Sequence, residues 1–211
     1  MKLQLPPILD FGPRSNPSNG TLFDMRDGQS YKVVKIGKQI WLAENFRYLP
    51  SIEKGDKYEN SWVYDNDNSY LDKGYGRLYD WDTANSIAPE GWKLPSNKDF
   101  QELIDFIRKD NNLITDEDKV GSYLKSIDGW EPCEEIVNND KYGFNAKPAG
   151  NCTNVRDYKY NGYFSFFWSA TGGNYSCPRY LVLDNSFSDY DGNSGSSYKR
   201  YNGFSVRLVK D

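Results

Sequence analysis

Residues 167–211 read FWSATGGNYSCPRYLVLDNSFSDYDGNSGSSYKRYNGFSVRLVKD. Two apolar, patterned pieces, Phe166–Ala170 and Phe204–Val209, frame a run made almost entirely of Tyr, Ser, Asn, Gly, Asp and Arg. The framing pieces, with Tyr180–Leu183 between them, read as strands. The run they enclose has the make-up of a recognition surface. Tyr offers large contact area at small entropic cost, and Ser, Gly and Asn offer adaptable hydrogen bonds. The competing reading is a set of polar hairpin loops with no further role.

Upstream of this stretch, from Gly129, the chain reads as short strands and long turns, with Phe144–Ala146 as a further strand. Ser96 opens the clearest helix. It sits at the N-cap with Asp99 at the third helical position, and Phe100, Leu103, Ile104 and Ile107 recur on one face. The helix should end near Lys109 or Asp110. A second, shorter helix is expected from about Asp116 to Ser126, with Val120, Tyr123 and Leu124 inward. Tyr75–Ala84 reads as either a short helix or a strand. Tyr31–Ile36, Gly37-Lys38 and Gln39–Ala43 read as a β-hairpin, with Trp41 and Leu42 on opposite sides and one of them in the core. The order strands, helix, helix, loop-rich strands predicts an α+β fold with two helices, short antiparallel strands and a high loop content.

Composition narrows the function. The 211 residues can bury a sizeable core. Residues 1–20 are rich in Pro, Asn, Ser and Gly and read as an extended arm or linker, and residues 21–211 as a single domain. The formal net charge is -4 with both signs interspersed, so no basic footprint for nucleic acid is present. No apolar run approaches ~18 residues, so no membrane span is expected. The start lacks the apolar centre of a signal peptide, which leaves an exported protein shorn of its leader or a cytoplasmic one. Cys133, Cys152 and Cys177 have neither zinc spacing nor an even count. They leave one bridge plus a free thiol, or three reduced thiols, equally open. The chain has no His, which removes Ser-His-Asp and Cys-His catalysis and most zinc sites. Asp65, Asp67 and Asp72 are oxygen ligands in type, but the stretch lacks the Gly and Glu of an EF-hand, and a solvated loop over Lys54–Lys73 is the plainer reading.

The motifs resemble a known family. DMRDGQSYKVVKIGKQIWLAENFRY (residues 24–48), YGRLYDW (75–81), APEGWKLPSNKDFQEL (88–103), YLKSIDGW, YGFNAKPAGN, FFWSAT and NGFSVRLVKD are similar to ordered landmarks of the Fibrobacter succinogenes major paralogous domain. That bacterial module is common in Bacteroidetes and Fibrobacteres. The resemblance spans about Thr21 to Asp211. It implies a C-type-lectin-like fold, on the branch shared with formylglycine-generating enzymes, and an exported or surface-attached protein. The family often carries Cys where this chain has Ala88 and Leu208. If those Cys pair, both have been replaced together by apolar side chains, at a cost of about 2–4 kcal/mol that other contacts must offset.

Three functions compete. The first is a non-catalytic module that binds a glycan or a protein through Tyr175, Arg179, Tyr180, Asp184, Tyr190, Asn193, Tyr198, Arg200 and Tyr201, at a cell surface or outside the cell. Trp41, Trp81, Trp92, Trp168 and Phe204 read as its core framework. The E-P-N and W-N-D signatures of calcium-dependent sugar binding are absent, so no cofactor is expected, although a structural calcium elsewhere stays compatible with the chain. The second is a structural or accessory subunit of a surface fibre, with the N-terminal arm as tether or docking strand. The third, a formylglycine-generating-type oxidase, needs two neighbouring Cys in the late loops, and Cys177 has no such neighbour.

Overall fold

The computed structural model describes residues 19–50, 60–113, 120–133, 137–153, 156–172, 178–185 and 200–211. Among them the chain forms twelve strands and three α-helices. The strands make two curled sheets. The two-helix α+β, lectin-like plan is therefore corrected to a mainly-β architecture. The reason is local. Five of the strands are only two residues long. A pair of residues carries no readable alternation, and such strands exist because neighbours hold them.

The first sheet has the order β1 (Asn19–Asp24), β2 (Gln29–Ile36), β3 (Gln39–Leu42), β12 (Val209–Lys210) and β6 (Trp92–Lys93), antiparallel throughout. The expected hairpin is β2–β3, turned at Gly37 with φ 60°. Phe106 lies 2.8 Å from where a Cβ on Gly37 would stand, so glycine is required there twice over. Both Trp41 and Leu42 are buried, which corrects the expectation of one core residue. The sheet is covered on both faces, so alternation sends Trp41 to one cluster and Leu42 to the other.

The second sheet runs β4 (Ser61–Trp62), β5 (Leu78–Tyr79), β11 (Phe204–Ser205), β9 (Phe164–Trp168), β7 (Ala149–Cys152) and β8 (Tyr158–Asn161), with β10 (Tyr180–Asp184) paired antiparallel to β9. It is mixed, since β9 runs parallel to both β11 and β7. The expected strand Phe204–Val209 is really two. Residues 206–208 cross from one sheet to the other, and their carbonyls bind Phe46 N (from Val206, 2.9 Å) and Leu42 N (from Leu208, 2.9 Å). The expected strand Phe144–Ala146 does not form. Asn145 adopts φ 53°, which breaks an extended run, and only Ala146 bridges, to Lys125.

Helix α1 spans Ser69–Asp72, α2 Trp81–Ser86 and α3 Asn97–Asp110. Asp80 caps α2 by accepting from Thr83 N, and the Ser96–Asp99 capping box starts α3 as expected. Tyr75–Ala84 holds both a strand and a helix. The expected second helix is a single 3-10 turn, Val120–Tyr123, within the described residues. The stretch expected as a loop up to Lys73 contains β4, a 3-10 turn at Tyr64–Asn66 and α1.

Packing explains the hierarchy. Phe100, Leu103, Ile104 and Ile107 of α3 are buried against Val34, Ile36 and Trp41. Each such side chain contributes about 1.5–3 kcal/mol, so burial outweighs the roughly 1 kcal/mol of the cap. Phe167, Leu181 and Leu183 of the second sheet join the cluster around α3, and the other large cluster also draws on both sheets. There Trp168 stacks on Phe204 at 4.2 Å between centroids and Phe166 on Phe204 at 4.8 Å. Leu208 is buried in that cluster and Ala88 packs against it. Ala88 and Leu208 thus meet in one cluster.

Candidate functional site

The end of β9 is held on several sides. Ser169 N donates to Arg179 O (3.0 Å), Ala170 N to Pro95 O (2.7 Å) and Arg179 N to Thr171 O (3.2 Å). Trp81 Nε1 donates to Ser169 O (2.8 Å), and Asn97 N to Thr171 Oγ1 (2.9 Å). The roots of segment 173–177 are thus tied to β9, β10, α2 and the start of α3. The longer segment 186–199 is rooted differently. Before it, Asn185 N donates to Tyr163 O (2.8 Å), and after it Arg200 O accepts from Trp81 N (2.9 Å).

The nine candidate residues separate under this geometry. Tyr175, Tyr190, Asn193 and Tyr198, with Cys177, lie outside the described residues. Tyr180 lies inward: it is 5 % exposed and packs edge-on against Phe204 at 5.2 Å and Trp168 at 6.3 Å. Its position on β10 points it inward with the aromatic layer, and no pattern in a single tyrosine reveals that. Arg179 and Asp184 are half-buried. Arg200 pairs with Asp82, and its guanidinium stands 5.6 Å from the centre of the Trp81 ring. The Asp82 hydrogen bond holds the guanidinium above its ordinary pKa. Tyr201 is 56 % exposed. Arg200 and Tyr201 are thus the described candidates on the rim.

Two further residues join them. Tyr160 and Tyr163 are 45 % and 47 % exposed, at the β8–β9 turn. Asn161-Gly162 makes the turn, with Tyr163 N bonded to Tyr160 O at 3.1 Å. Tyr160 has φ 66°, a costly conformation for an aromatic residue. Its ring packs on Phe164 at 5.2 Å. The missed signal is the Asn-Gly pair flanked by aromatics in YKYNGYF, which marks a tight turn; it joins β8 to β9 across β7, which lies between them in the sheet.

Charged groups in the interior serve the framework. Burial pushes Lys125 down to about 8, against the pull of Asp184, and its Nζ lies 5.0 Å from the Trp130 ring centre. Cys152 is buried and pushed up to about 11 by that burial, which keeps it a thiol. Asp67 accepts from Ser69 N (2.9 Å) and Ser69 Oγ (2.7 Å), so its carboxylate ends a turn. Among the described residues, no group of three His, Cys, Asp or Glu side chains is arranged around a metal position. No described helix is long and apolar enough to cross a membrane.

These observations define a class: a mainly-β scaffold of packed aromatic strands that roots long Tyr/Ser/Asn/Gly-rich sequences at its rim. The profile of the Fibrobacter succinogenes major domain matches residues 34–210, and the chain belongs to that family. No curated protein and no solved structure matches the chain.

Proposed function

We propose that this domain is a non-catalytic recognition module of a bacterial surface or exported protein, binding a glycan or a protein through the region 171–203 with the β8–β9 turn beside it. One observation carries the reading. Tyr/Ser/Asn/Gly-rich sequences are rooted by backbone bonds on strands of a fully packed aromatic core, while Tyr160, Tyr163 and Tyr201 stay about half exposed around those roots. Rigid roots lower the entropic cost of binding, and Tyr and Arg are the usual anchors of such contacts.

The test is a glycan-array and cell-surface binding screen of the full chain, with and without calcium. Arg200→Ala combined with Tyr201→Ala should weaken the bound signal about tenfold or more, the effect of losing ~1.4 kcal/mol. The melting temperature should stay within a few degrees. Absence of any bound glycan or surface partner, or a double variant that binds like the parent, overturns the reading.

One observation favours the second reading, an accessory subunit of a surface fibre. Among the described residues β1 is an edge strand of the first sheet; Phe23 within it is 58 % exposed and Met25, just past its end, 88 %. Exposed apolar residues on an edge invite strand addition. Replacing both with Lys should leave the monomer folded and abolish assembly if that reading holds.

A further inference from the structure

An open groove of about 430 Å³ lies between the end of α2, β6 and the start of α3. Its lining includes the half-buried Trp92, with Asn85, Ser86, Lys93 and Asp99 around it, and Ala170 at the side from which segment 173–177 continues. We infer that this groove is a binding site for a neutral saccharide. The inference rests on the recognition reading above and places one subsite of it.

The chemistry of the lining selects the ligand. Lys93 Nζ stands 3.3 Å from Asp99 Oδ1, so the charges in the groove offset one another. Burial works against ionisation of Asp99, but the Ser96 hydroxyl and amide and Lys93 outweigh it and hold the carboxyl below its ordinary pKa. An anionic ligand would meet that carboxylate with its ammonium already paired. A wholly apolar ligand would cover amide, hydroxyl and carboxylate groups without replacing their water. An added peptide strand would find β6, which is two residues long and too short to template it. A neutral sugar ring suits all three constraints. Its C–H face packs on the indole, and its hydroxyls both donate and accept, as amide, hydroxyl and carboxylate neighbours require.

The location is a second, independent pointer. Ala170 N is fixed to Pro95 O at 2.7 Å and Thr171 Oγ1 to Asn97 N at 2.9 Å, so the groove and the root of segment 173–177 share one rigid support.

The experiment uses the full chain on an array that carries neutral, sialylated and sulfated glycans. Two variants probe the groove from exposed positions away from the core: Asn85→Ala removes an amide, and Ser86→Trp fills the space. The parent should bind neutral glycans, and each variant should weaken that binding about tenfold or more with an unchanged melting temperature. If Arg200→Ala with Tyr201→Ala abolishes glycan binding while both groove variants bind like the parent, recognition stands and the groove inference falls. A parent that binds only charged glycans, or only a protein partner, overturns the groove inference as well. A parent that binds nothing overturns both.

Discussion

Arg207 is fully buried, and its guanidinium reaches Leu42 O (3.1 Å), Asn145 O (3.3 Å), Phe144 O and the Asn45 side-chain oxygen. The rings of Phe144 and Phe167 lie 4.5 and 5.3 Å from its central carbon. One planar fork thereby joins β3, the 144–145 segment and the crossing at 206–208. Burial pushes the group down to about 9, the cost of keeping a cation there. Arg207→Met should destabilise by about 3–5 kcal/mol, because it leaves several buried acceptors unpaired. Arg207→Lys should recover little, since an ammonium cannot span the same acceptors. Urea midpoints of the purified variants check both, and a change under about 1 kcal/mol for Met would refute the account. Asp140 gives the pH dependence at this scale. Burial raises it from 3.8 to about 6, against the Asn145 amide and the field of Arg207. In the window between those values the folded state holds a proton that the unfolded chain has released. The favourable contribution is complete below 3.8 and lost as the pH rises through about 6. Asp140→Asn should flatten this part of a stability-against-pH curve from pH 4 to 7, and an unchanged slope would assign it to another group.

The clearest element is α3. Ser96 Oγ accepts from Asp99 N (3.2 Å), and the Asp99 carboxylate accepts from Ser96 N (2.7 Å). Ser96→Ala should cost about 0.5–2 kcal/mol, read as a lower urea midpoint with an unchanged slope. β7 makes the opposite point. Gly150 has φ 63°, and a Cβ there would stand 2.1 Å from Lys159 O of the paired strand β8. Gly150→Ala adds backbone strain of roughly 1–3 kcal/mol to that clash and should unpair β8. Faster amide exchange at residues 158–161, with α3 still protected, is the expected signature. The two elements were unequally legible. A cap, a dipole-matching acid and a repeated apolar face all lie within one helix, so α3 declares itself. Gly150 is needed for a strand eight positions later, and nothing near it in the chain says so.

At the scale of the molecule the last residues matter most. Phe204–Ser205 belongs to the second sheet and Val209–Lys210 to the first, with Val206, Arg207 and Leu208 buried between. Val34, Trp41, Phe167 and Leu181, drawn from both sheets, share one cluster, and Leu42, Trp168 and Phe204 share another. The second sheet adds a smaller cluster around Leu78, Ala149 and Cys152, but both large clusters draw on the two sheets together. Unfolding should therefore be a single transition, with tryptophan fluorescence and far-UV circular dichroism giving coincident urea curves. Two separated midpoints would mean that the sheets are independent units.

The sequence by itself determined the β2–β3 hairpin, the capped helix α3, the apolar frames around the Tyr/Ser/Asn-rich run and the family. Each of these rests on short-range chemistry: a turn glycine, a cap, a period, an ordered set of motifs. Only the tertiary structure decided that the domain is mainly β, that Trp41 and Leu42 are both core, and that Phe204–Val209 divides between two sheets. It also turned Tyr180 inward and brought Trp92 beside Asn85 and Asp99. These outcomes depend on which face a neighbour covers and which backbone groups a distant strand supplies. A two-residue strand or a lone tyrosine has no preference strong enough to announce them, because the free energy that fixes it comes from partners remote in the chain.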